Sequence, residues 1–362
     1  MTDDIRRELR LLALTLSIAA AYSAFTVTWI AEEGQLGLLA NYKVSGAVSA
    51  IWLTAFSFVF CAYALDILIR RRPASPLKVM LSELRAEIGR SDWLIARATI
   101  IIVWSCVIIF FSPFKIMIGH MQGFPFDAAL AGWDRKLFLG HDAWVVTHKL
   151  FGSAEATFLL HIAYNTWFII MWISAIYLVM RPDLVRLRAR YITAILLAWI
   201  LVGSFAAYLF ASAGPCFYER AFGDPIFSPL MDRLNNIDAE LRAISPSLGL
   251  HALSLQDMLW SSYAMNKGVF GGGISAMPSM HVSIAALMAC GAWRLGRKMG
   301  WIMSAFAFVI WIGSIHLGWH YALDGIVAAA MTLGIWWFSG WLVERFVFRE
   351  APAASLRPAL AE

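Results

Sequence analysis

The sequence is poor in charged residues and in cysteine. Asp, Glu, Lys and Arg make up 15% of its 362 residues, whereas soluble domains carry about a quarter. Hydrophobic residues reach 60%, and the mean hydropathy is +0.68. Three of the four cysteines fall in apolar stretches, so no disulfide framework is indicated. Internal repeats, low-complexity segments and stretches polar enough for a soluble domain are also lacking. These shortages exclude an ordinary soluble protein.

Eight apolar stretches are long enough, or nearly so, to cross a bilayer, which takes about 20 residues per helix. Because lipid offers no hydrogen bonds to the backbone, each stretch is predicted to be helical. We therefore expect an all-α fold, a polytopic membrane helical bundle of about eight transmembrane helices, with the sixth the shortest. The stretches cover roughly residues 11–31, 46–69, 94–112, 156–180, 191–213, 279–294, 299–317 and 321–343.

Positive charge is distributed unevenly between the two sets of connecting segments. With strict alternation, both termini and the segments near 70–93, 181–190 and 294–298 share one side, which holds most of the 29 lysines and arginines. The positive-inside rule places that side in the cytoplasm. We expect a multi-pass protein of a bacterial inner membrane with both termini cytoplasmic. The net charge of +5 then reports topology, and no nucleic-acid partner is predicted.

The chain divides into three parts by the arrangement of its apolar stretches. Residues 1–93 are predicted to form an accessory two-helix unit with a cytoplasmic loop, and 351–362 a cytoplasmic tail. Between them, 94–350 form a six-helix membrane domain with large outer loops at 113–155 and 214–277.

Each outer loop contains a segment with its own periodicity. The aromatic residues of "FPFDAALAGWDRKLFLG" suit an interfacial segment in the first loop. In the second, apolar residues recur on one face of a short amphipathic helix that begins near Pro229. That face consists of Leu230, Leu234, Ile237 and Leu241.

Two polar motifs interrupt the apolar pattern, and the predicted topology puts both on the outer side. The first, "GGGISAMPSMH", ends at His281 and leads into the sixth apolar stretch. The second, "SIHLGWHYALDGI", joins the seventh to the eighth and contains His320 and Asp324, four residues apart and so expected on one helical face.

These residue types suit phosphoryl transfer through a phosphohistidine. A carboxylate one turn from His320 can hold one ring N–H and stabilise the cation that forms when the other nitrogen attacks. A second histidine, His281, can protonate the leaving oxygen. The backbone around Gly273 and the hydroxyl of Ser279, at a helix N-terminus, suit phosphate oxygens.

Each residue also has an ordinary structural interpretation. An interfacial histidine is often only hydrogen-bonded, Ser279 suits a helix N-cap, and three glycines suit a flexible loop. Asp324 is harder to explain in this way, because an ionisable group in a spanning segment is costly and usually functional. Both motifs lie on the same predicted side of the membrane, and their co-occurrence favours the catalytic interpretation.

The two motifs resemble those of the type-2 phosphatidic acid phosphatase superfamily, over roughly residues 115–343. The resemblance implies that His320 is the nucleophile, Asp324 orients it and His281 is the general acid, with Ser279 helping to bind phosphate and a six-helix phosphatase-like core around them. "PSMH" with "HYALD" is closer to the inositol phosphorylceramide synthase branch, an inositolphosphotransferase branch that moves a phosphorylated head group between lipids.

Two departures from the superfamily pattern affect phosphate binding. Met280 replaces a glycine, and Gly313-Ser314 replaces a Ser-Arg pair; the Lys-x6-Arg-Pro motif is also lacking. Another cation must then neutralise the phosphate. We expect Lys267 or Arg220 ahead of the other outer-side cations, and His316 is a further candidate for the missing arginine. Those other cations are Lys115, Lys149 and the Arg135-Lys136 pair.

Three alternatives stay open at this stage. His316, His320 and Asp324 have spacings that metal ligands also show, although no metal or cofactor is predicted. A transporter is a remote alternative, since buried ionisable residues mark transport paths too. Third, the acceptor could be water, giving a lipid phosphate phosphatase of phosphatidic acid or polyprenyl phosphate type. Met280 and the large outer loops favour a phosphotransferase whose partners are a membrane phospholipid or lipid phosphate and a lipid alcohol.

Overall fold

The computed structural model describes residues 2–40, 44–88, 91–265 and 271–349, and this part of the chain is helical without a strand. Sixteen α-helices are present in it, some joined by short 3-10 or π turns. In chain order they are α1 Asp3–Glu32, α2 Gly37–Ala40, α3 Val44–Leu65, α4 Pro76–Ile88, α5 Ser91–Gln122, α6 Asp127–Leu137, α7 Ala143–Phe151, α8 Ala154–Met180, α9 Val185–Ile200, α10 Ala207–Leu209, α11 Tyr218–Phe222, α12 Ser228–Ile244, α13 His251–Ala264, α14 Met280–Leu295, α15 Arg297–His316 and α16 Ala322–Phe346.

Seven spans in the described residues have the length and composition to cross a membrane. They include α1, α8, α15 and α16, a segment from α3 into the following π turn, the second part of α5, and the continuous run from α9 through α10. α14, with 16 residues, is apolar but shorter. The predicted all-α, polytopic membrane bundle is confirmed, and the sixth predicted stretch is indeed the short one.

The run from α9 through α10 lies at the centre of the bundle. Of its most apolar window 72% is buried, more than in any other candidate span of the described chain. Tyr191 on α9 packs against Gly291 of α14, where an added Cβ would come within 2.9 Å of the Tyr191 ring. This close approach brings the N-terminal half of α9 against α14, the helix that follows the first polar motif.

A polar contact joins α14 to α16 inside the bundle. The Ser283 and Thr332 hydroxyls lie 2.7 Å apart, both fully buried. Hydrogen bonds of this kind between hydroxyls stabilise helix pairs in membranes by about 1 kcal/mol. The two helices that follow the two polar motifs are therefore neighbours, as a shared site requires.

α1 belongs to the predicted accessory unit but packs closely on the rest of the bundle. Tyr22 of α1 hydrogen-bonds Ser204 at 2.7 Å, and its Glu8 forms a buried ion pair with Arg188 of α9. The aromatic rings of Trp29 on α1 and Phe114 on α5 lie 4.7 Å apart. α1 thus packs against both α5 and α9 and stabilises their positions.

Two outer segments differ in their boundaries from the predicted loops. α5 continues through Pro113 to Gln122, about ten residues beyond the predicted end, because Phe114 and Ile118 on its extension are buried against neighbouring helices. The interfacial segment forms α6. In the second loop α12 begins at Ser228 and buries Leu230, Leu234, Ile237 and Leu241, which confirms the predicted amphipathic face.

Candidate active site

His320 lies in the turn between α15 and α16 and is held by hydrogen bonds on both sides. Its backbone N–H donates to the Ser314 carbonyl at 3.2 Å, and its ring Nδ1 lies 3.3 Å from Asp324 Oδ2. The sequence predicted both side chains on one helical face, but α16 begins only at Ala322, so His320 precedes the helix. The pair still meets, because Asp324 Oδ2 folds back to accept the Tyr321 N–H at 3.0 Å.

This arrangement fixes the orientation of the His320 ring. With Nδ1 directed at the carboxylate, Nε2 is the nitrogen left for another partner. Asp324 is fully buried and His320 is 6% exposed, so little water competes for their contact. Such a pair favours one tautomer and stabilises a positive charge on the ring, as a nucleophilic histidine requires.

Two further buried aspartates, on α6, hold the same turn. Asp134 accepts the N–H groups of Ala322 at 2.6 Å and Leu323 at 3.0 Å, the first two residues of α16. A carboxylate at this position satisfies unpaired donors and interacts favourably with the helix dipole. Burial raises the pKa of Asp134 to about 6, against the opposite effect of these two hydrogen bonds.

Asp127, buried on the same face of α6, performs a similar role. Its carboxylate accepts the N–H groups of Ala213 at 2.6 Å and Gly214 at 2.8 Å, and the Tyr321 hydroxyl at 2.8 Å. Burial raises the pKa of Asp127 to about 6 as well. Through these bonds α6 connects the segment that follows α10 to Tyr321, the residue next to His320.

The first polar motif meets this turn from the other side. Ser279 is buried and caps α14, its hydroxyl accepting the Val282 N–H at 3.4 Å, while its own N–H donates to the Asp324 carbonyl at 3.2 Å. The N-cap interpretation of Ser279 is thus observed, whereas phosphate binding by its hydroxyl, which the resemblance implied, stays a prediction.

His281 follows on the first turn of α14 and faces His320. The two ring centroids are 5.8 Å apart with planes at 64°. Tyr164 stacks on the His281 ring at 4.6 Å, and Trp167 lies edge-on at the same distance. Two residues of α8 therefore fix the ring that the sequence proposed as general acid.

Both histidines line one cavity of about 350 Å³ that extends between the transmembrane helices. This volume lies at the small end of the range for ligand pockets. Most of its wall is apolar and aromatic, and Lys115 is the one lysine or arginine among the described residues that line it. The polar lining consists of Ser112, Lys115, Asn165, Ser275, His281 and His320; the aromatic lining of Trp104, Phe111, Tyr164, Trp167, Phe168, Trp172, Trp199, Phe217 and Trp319.

Gly273, from the glycine run, lines the same cavity in a conformation that requires glycine. Its φ is +86°, and a Cβ would lie 2.6 Å from the backbone C and O of Lys115. The run therefore packs directly on α5, which brings its backbone and Lys115 to the same part of the cavity wall.

The other predicted phosphate-binding residues stand elsewhere. Arg220 is at the surface, where it pairs with Asp257 and does not line the cavity. Lys267 lies outside the described residues. His316 is fully buried on the far side of the turn, its Nε2 2.9 Å from the Thr157 hydroxyl. Within the described chain, no three His, Cys, Asp or Glu side chains are grouped to hold a metal ion.

His316 instead takes part in a stacked histidine pair. Its ring lies 3.7 Å from that of His148 at an angle of 6°. His148 donates from Nε2 to the His316 carbonyl and accepts from Arg233 Nε at Nδ1, both at 2.9 Å, so these two bonds require a neutral ring. Burial lowers the pKa of His148 to about 4, and the charge of Arg233 acts in the same direction.

A helical membrane bundle that presents two histidines to an apolar cavity, with a buried carboxylate against one of them, defines a class of membrane enzyme. The chain matches the PAP2 superfamily over residues 128–338, more than half of its length, and it belongs to that superfamily. The protein is therefore a phosphatase or phosphotransferase of lipid-phosphate type. Comparison with curated proteins and with solved structures gives no match.

Sequence reasoning missed the two aspartates on α6. Asp127 and Asp134 are seven residues apart and so share one face of the helix, which was a usable signal in a segment otherwise assigned to the interface. Lys115 was named only among several outer-side cations, because the sequence placed it in a loop and gave no reason to prefer it.

Proposed function

We propose that the protein is a membrane lipid phosphotransferase that moves a phosphoryl or phospho-head group between lipids through a phosphohistidine. His320 attacks the phosphorus, Asp324 orients and stabilises its ring, and His281 donates a proton to the leaving oxygen. Ser279 holds the start of α14 beside the site. The observation that carries the proposal is that His320 and His281 line the same apolar cavity, with His320 Nδ1 directed at a buried carboxylate.

The spacing of the two rings agrees with these roles. A nitrogen poised for attack lies about 3–3.5 Å from the atom it attacks, and a proton donor lies about 3 Å from the oxygen it protonates. The 5.8 Å between the ring centroids is of the order that a phosphate between them requires.

The reaction balances in two steps. In the first, an N–P bond forms at His320 Nε2 and the ester P–O bond breaks, while the His281 proton goes to the departing alkoxide. In the second, an alcohol attacks the phosphohistidine, a new P–O bond forms, the N–P bond breaks and the alcohol proton returns to His281. With water as acceptor the same site gives a phosphatase, the alternative function.

The cavity walls favour an alcohol over water. Aromatic side chains and Met280 surround the histidines, and an apolar lining binds lipid chains while holding little water. Met280 itself lines the cavity at the position where the superfamily pattern has glycine, and it packs against Gly203. This is the feature that also relates the chain to the inositol phosphorylceramide synthase branch.

The location follows from charge distribution. Because the positive-inside rule puts the basic segments in the cytoplasm, we propose that both termini are cytoplasmic and that the site opens at the extracytoplasmic membrane face. A lipid would then enter sideways from the outer leaflet.

The test is product analysis. Purified protein is incubated in vesicles with a panel of phospholipids and lipid alcohols, and the products are identified by mass spectrometry. We expect a new phospholipid that carries the donor head group on the acceptor. Water-derived products alone would reject the transferase in favour of the phosphatase.

The roles of the histidines have their own test. We expect His320→Ala and His281→Ala each to abolish turnover without a change in the thermal unfolding midpoint of more than a few degrees, since neither side chain closes a large part of the core. A rate near that of the wild type in either variant would contradict the assignment.

A further inference from the structure

Among the described residues that line the cavity, Lys115 is the one lysine or arginine, and the proposed chemistry gives it no role. It lies on α5, outside the segment 128–338 that matches the superfamily, and no carboxylate of the described chain is paired with it. It lines the same cavity as His281 and His320. An unpaired ammonium group in an apolar cavity is costly unless an anion binds beside it.

The surrounding structure holds this lysine in place. On one side the glycine run packs against the Lys115 backbone at Gly273. On the other, Phe114 and Ile116, its chain neighbours, are buried in clusters that include residues of α1. The accessory helix therefore supports the part of α5 that brings the lysine to the cavity.

The charges around the site can be counted. Lys115 is the one lysine or arginine among the described residues that line the cavity, and the three carboxylates that hold the His320 turn, Asp127, Asp134 and Asp324, are buried and add only negative charge. A phosphodiester carries one negative charge, whereas a phosphomonoester carries between one and two near neutral pH. In surroundings of low dielectric, an uncompensated second charge is unfavourable.

We propose that Lys115 is the phosphate-binding cation of this enzyme and that it matches the cavity to a phosphate carrying one negative charge. The inference rests on the proposed function, since it assumes that the cavity binds a lipid phosphate. A doubly charged ligand would have to take up a proton before it binds.

Binding of two short lipids tests this proposal without turnover. The parent is His320→Asn, which removes the nucleophile and keeps a donor for Asp324. Dihexanoylphosphatidylglycerol, a diester, and dihexanoylphosphatidic acid, a monoester, are titrated in non-ionic detergent. Quenching of the tryptophans that line the cavity reports binding.

Side-chain variants test the role of the lysine. We expect Lys115→Met to weaken binding of both lipids at least tenfold, and Lys115→Arg to remain within about threefold of the parent. The matched control is Lys149→Met, which removes an exposed lysine of α7 and should leave both affinities unchanged. Unaltered binding by Lys115→Met would overturn the proposal. So would a loss of the same size in Lys267→Met, because a second cation would then share the role.

The pH dependence of the parent tests the single charge and needs no lysine variant. If the monoester binds only after taking up a proton, and its second pKa is about 6, the ratio of its Kd to that of the diester rises about eightfold from pH 6.5 to 7.5. Titration of protein groups cancels in this ratio. A ratio that stays constant would refute the charge match.

Failure of the two proposals is distinguishable. A wild type that makes only water-derived products, together with the expected binding results, would reject the transferase and leave the Lys115 assignment in place. Head-group transfer by the wild type together with unaltered binding in Lys115→Met would reject the assignment alone.

Discussion

Asp134 gives the sharpest test of how the fold positions the catalytic histidine. Its two oxygens accept the N–H groups of Ala322 and Leu323, and it does not line the main cavity. We consider the replacement Asp134→Asn, which keeps the shape but turns one acceptor into a donor that faces an N–H group.

Two opposing effects determine the change in stability. Burial raises the pKa of Asp134 from 3.8 to about 6 even though its two hydrogen bonds act in the opposite direction, which corresponds to a net penalty of about 3 kcal/mol for the ionised group at neutral pH. The variant is relieved of that penalty, but it leaves one buried N–H group without an acceptor, at a cost of about 1–3 kcal/mol. We therefore expect the free energy of unfolding to rise by no more than about 2 kcal/mol.

The effect on activity should be much larger. A misplacement of a catalytic group by about 1 Å can reduce the rate about 100-fold. We therefore expect kcat to fall between 10- and 100-fold while KM changes little, because the lipid contacts stay intact. The assay is the initial rate of product formation in mixed micelles over a range of lipid concentration, alongside the thermal unfolding midpoint.

The pH profile separates a positioning role from a merely structural one. Because the folded pKa is raised, Asp134 takes up a proton as the pH falls through about 6. Protonation relieves the burial penalty, so the contribution of Asp134 to the free energy of unfolding rises as the pH falls. It also converts one of the two acceptor oxygens into a hydroxyl, so we expect activity to fall over the same pH range. In Asp134→Asn the acid limb of the profile should be shallower, with Asp127 still titrating. The control is Asp232→Asn, at an exposed carboxylate of α12. A wild-type kcat and an unchanged acid limb in Asp134→Asn would refute this reasoning.

Two further predictions concern the stacked histidine pair and the residue that replaces the family glycine. The pKa of His148 is lowered to about 4, so the unfolded state binds more protons between pH 6.5 and 4, and stability is lost as the pH falls through that window. The unfolding midpoint of His148→Gln should therefore depend less on pH in this range than that of the wild type; parallel curves would contradict this. Met280→Gly should open the cavity beside Gly203 and raise the share of water-derived products at least severalfold, with Met280→Leu as control. An equal product ratio in both variants would show that Met280 does not exclude water.

Local patterns were sufficient for much of the fold. The length of each apolar stretch predicted the spanning helices, including the short α14. The thickness of the bilayer sets the number of apolar residues that a spanning helix needs, and such stretches can be recognised from composition alone. The face of α12 followed from helical periodicity. The end of α5 did not, since the apolar stretch was predicted to end at residue 112, and burial of Phe114 and Ile118 against neighbouring helices carries the helix further.

The candidate site divides in the same way. His281, His320 and Asp324 were named from two short motifs, because their chemistry depends on residue type and spacing within a few positions of the chain. Contact between the two motifs depends on α14 and α16 packing together. The catalytic hypothesis needed this contact, but nothing in the sequence showed it.

Position in space, in contrast, was decided by tertiary structure alone. Arg220 and Lys115 were both outer-side cations in the sequence, which ranked Arg220 ahead of Lys115, and the structure reverses that order. The fold pairs Arg220 with Asp257 at the surface and brings Lys115 beside the glycine run. Asp127 and Asp134 likewise acquired their role only when α6 met the start of α16. The physical reason is that hydrogen bonds and ionic interactions act over a few ångströms, and those distances between remote segments exist only once the helices have packed.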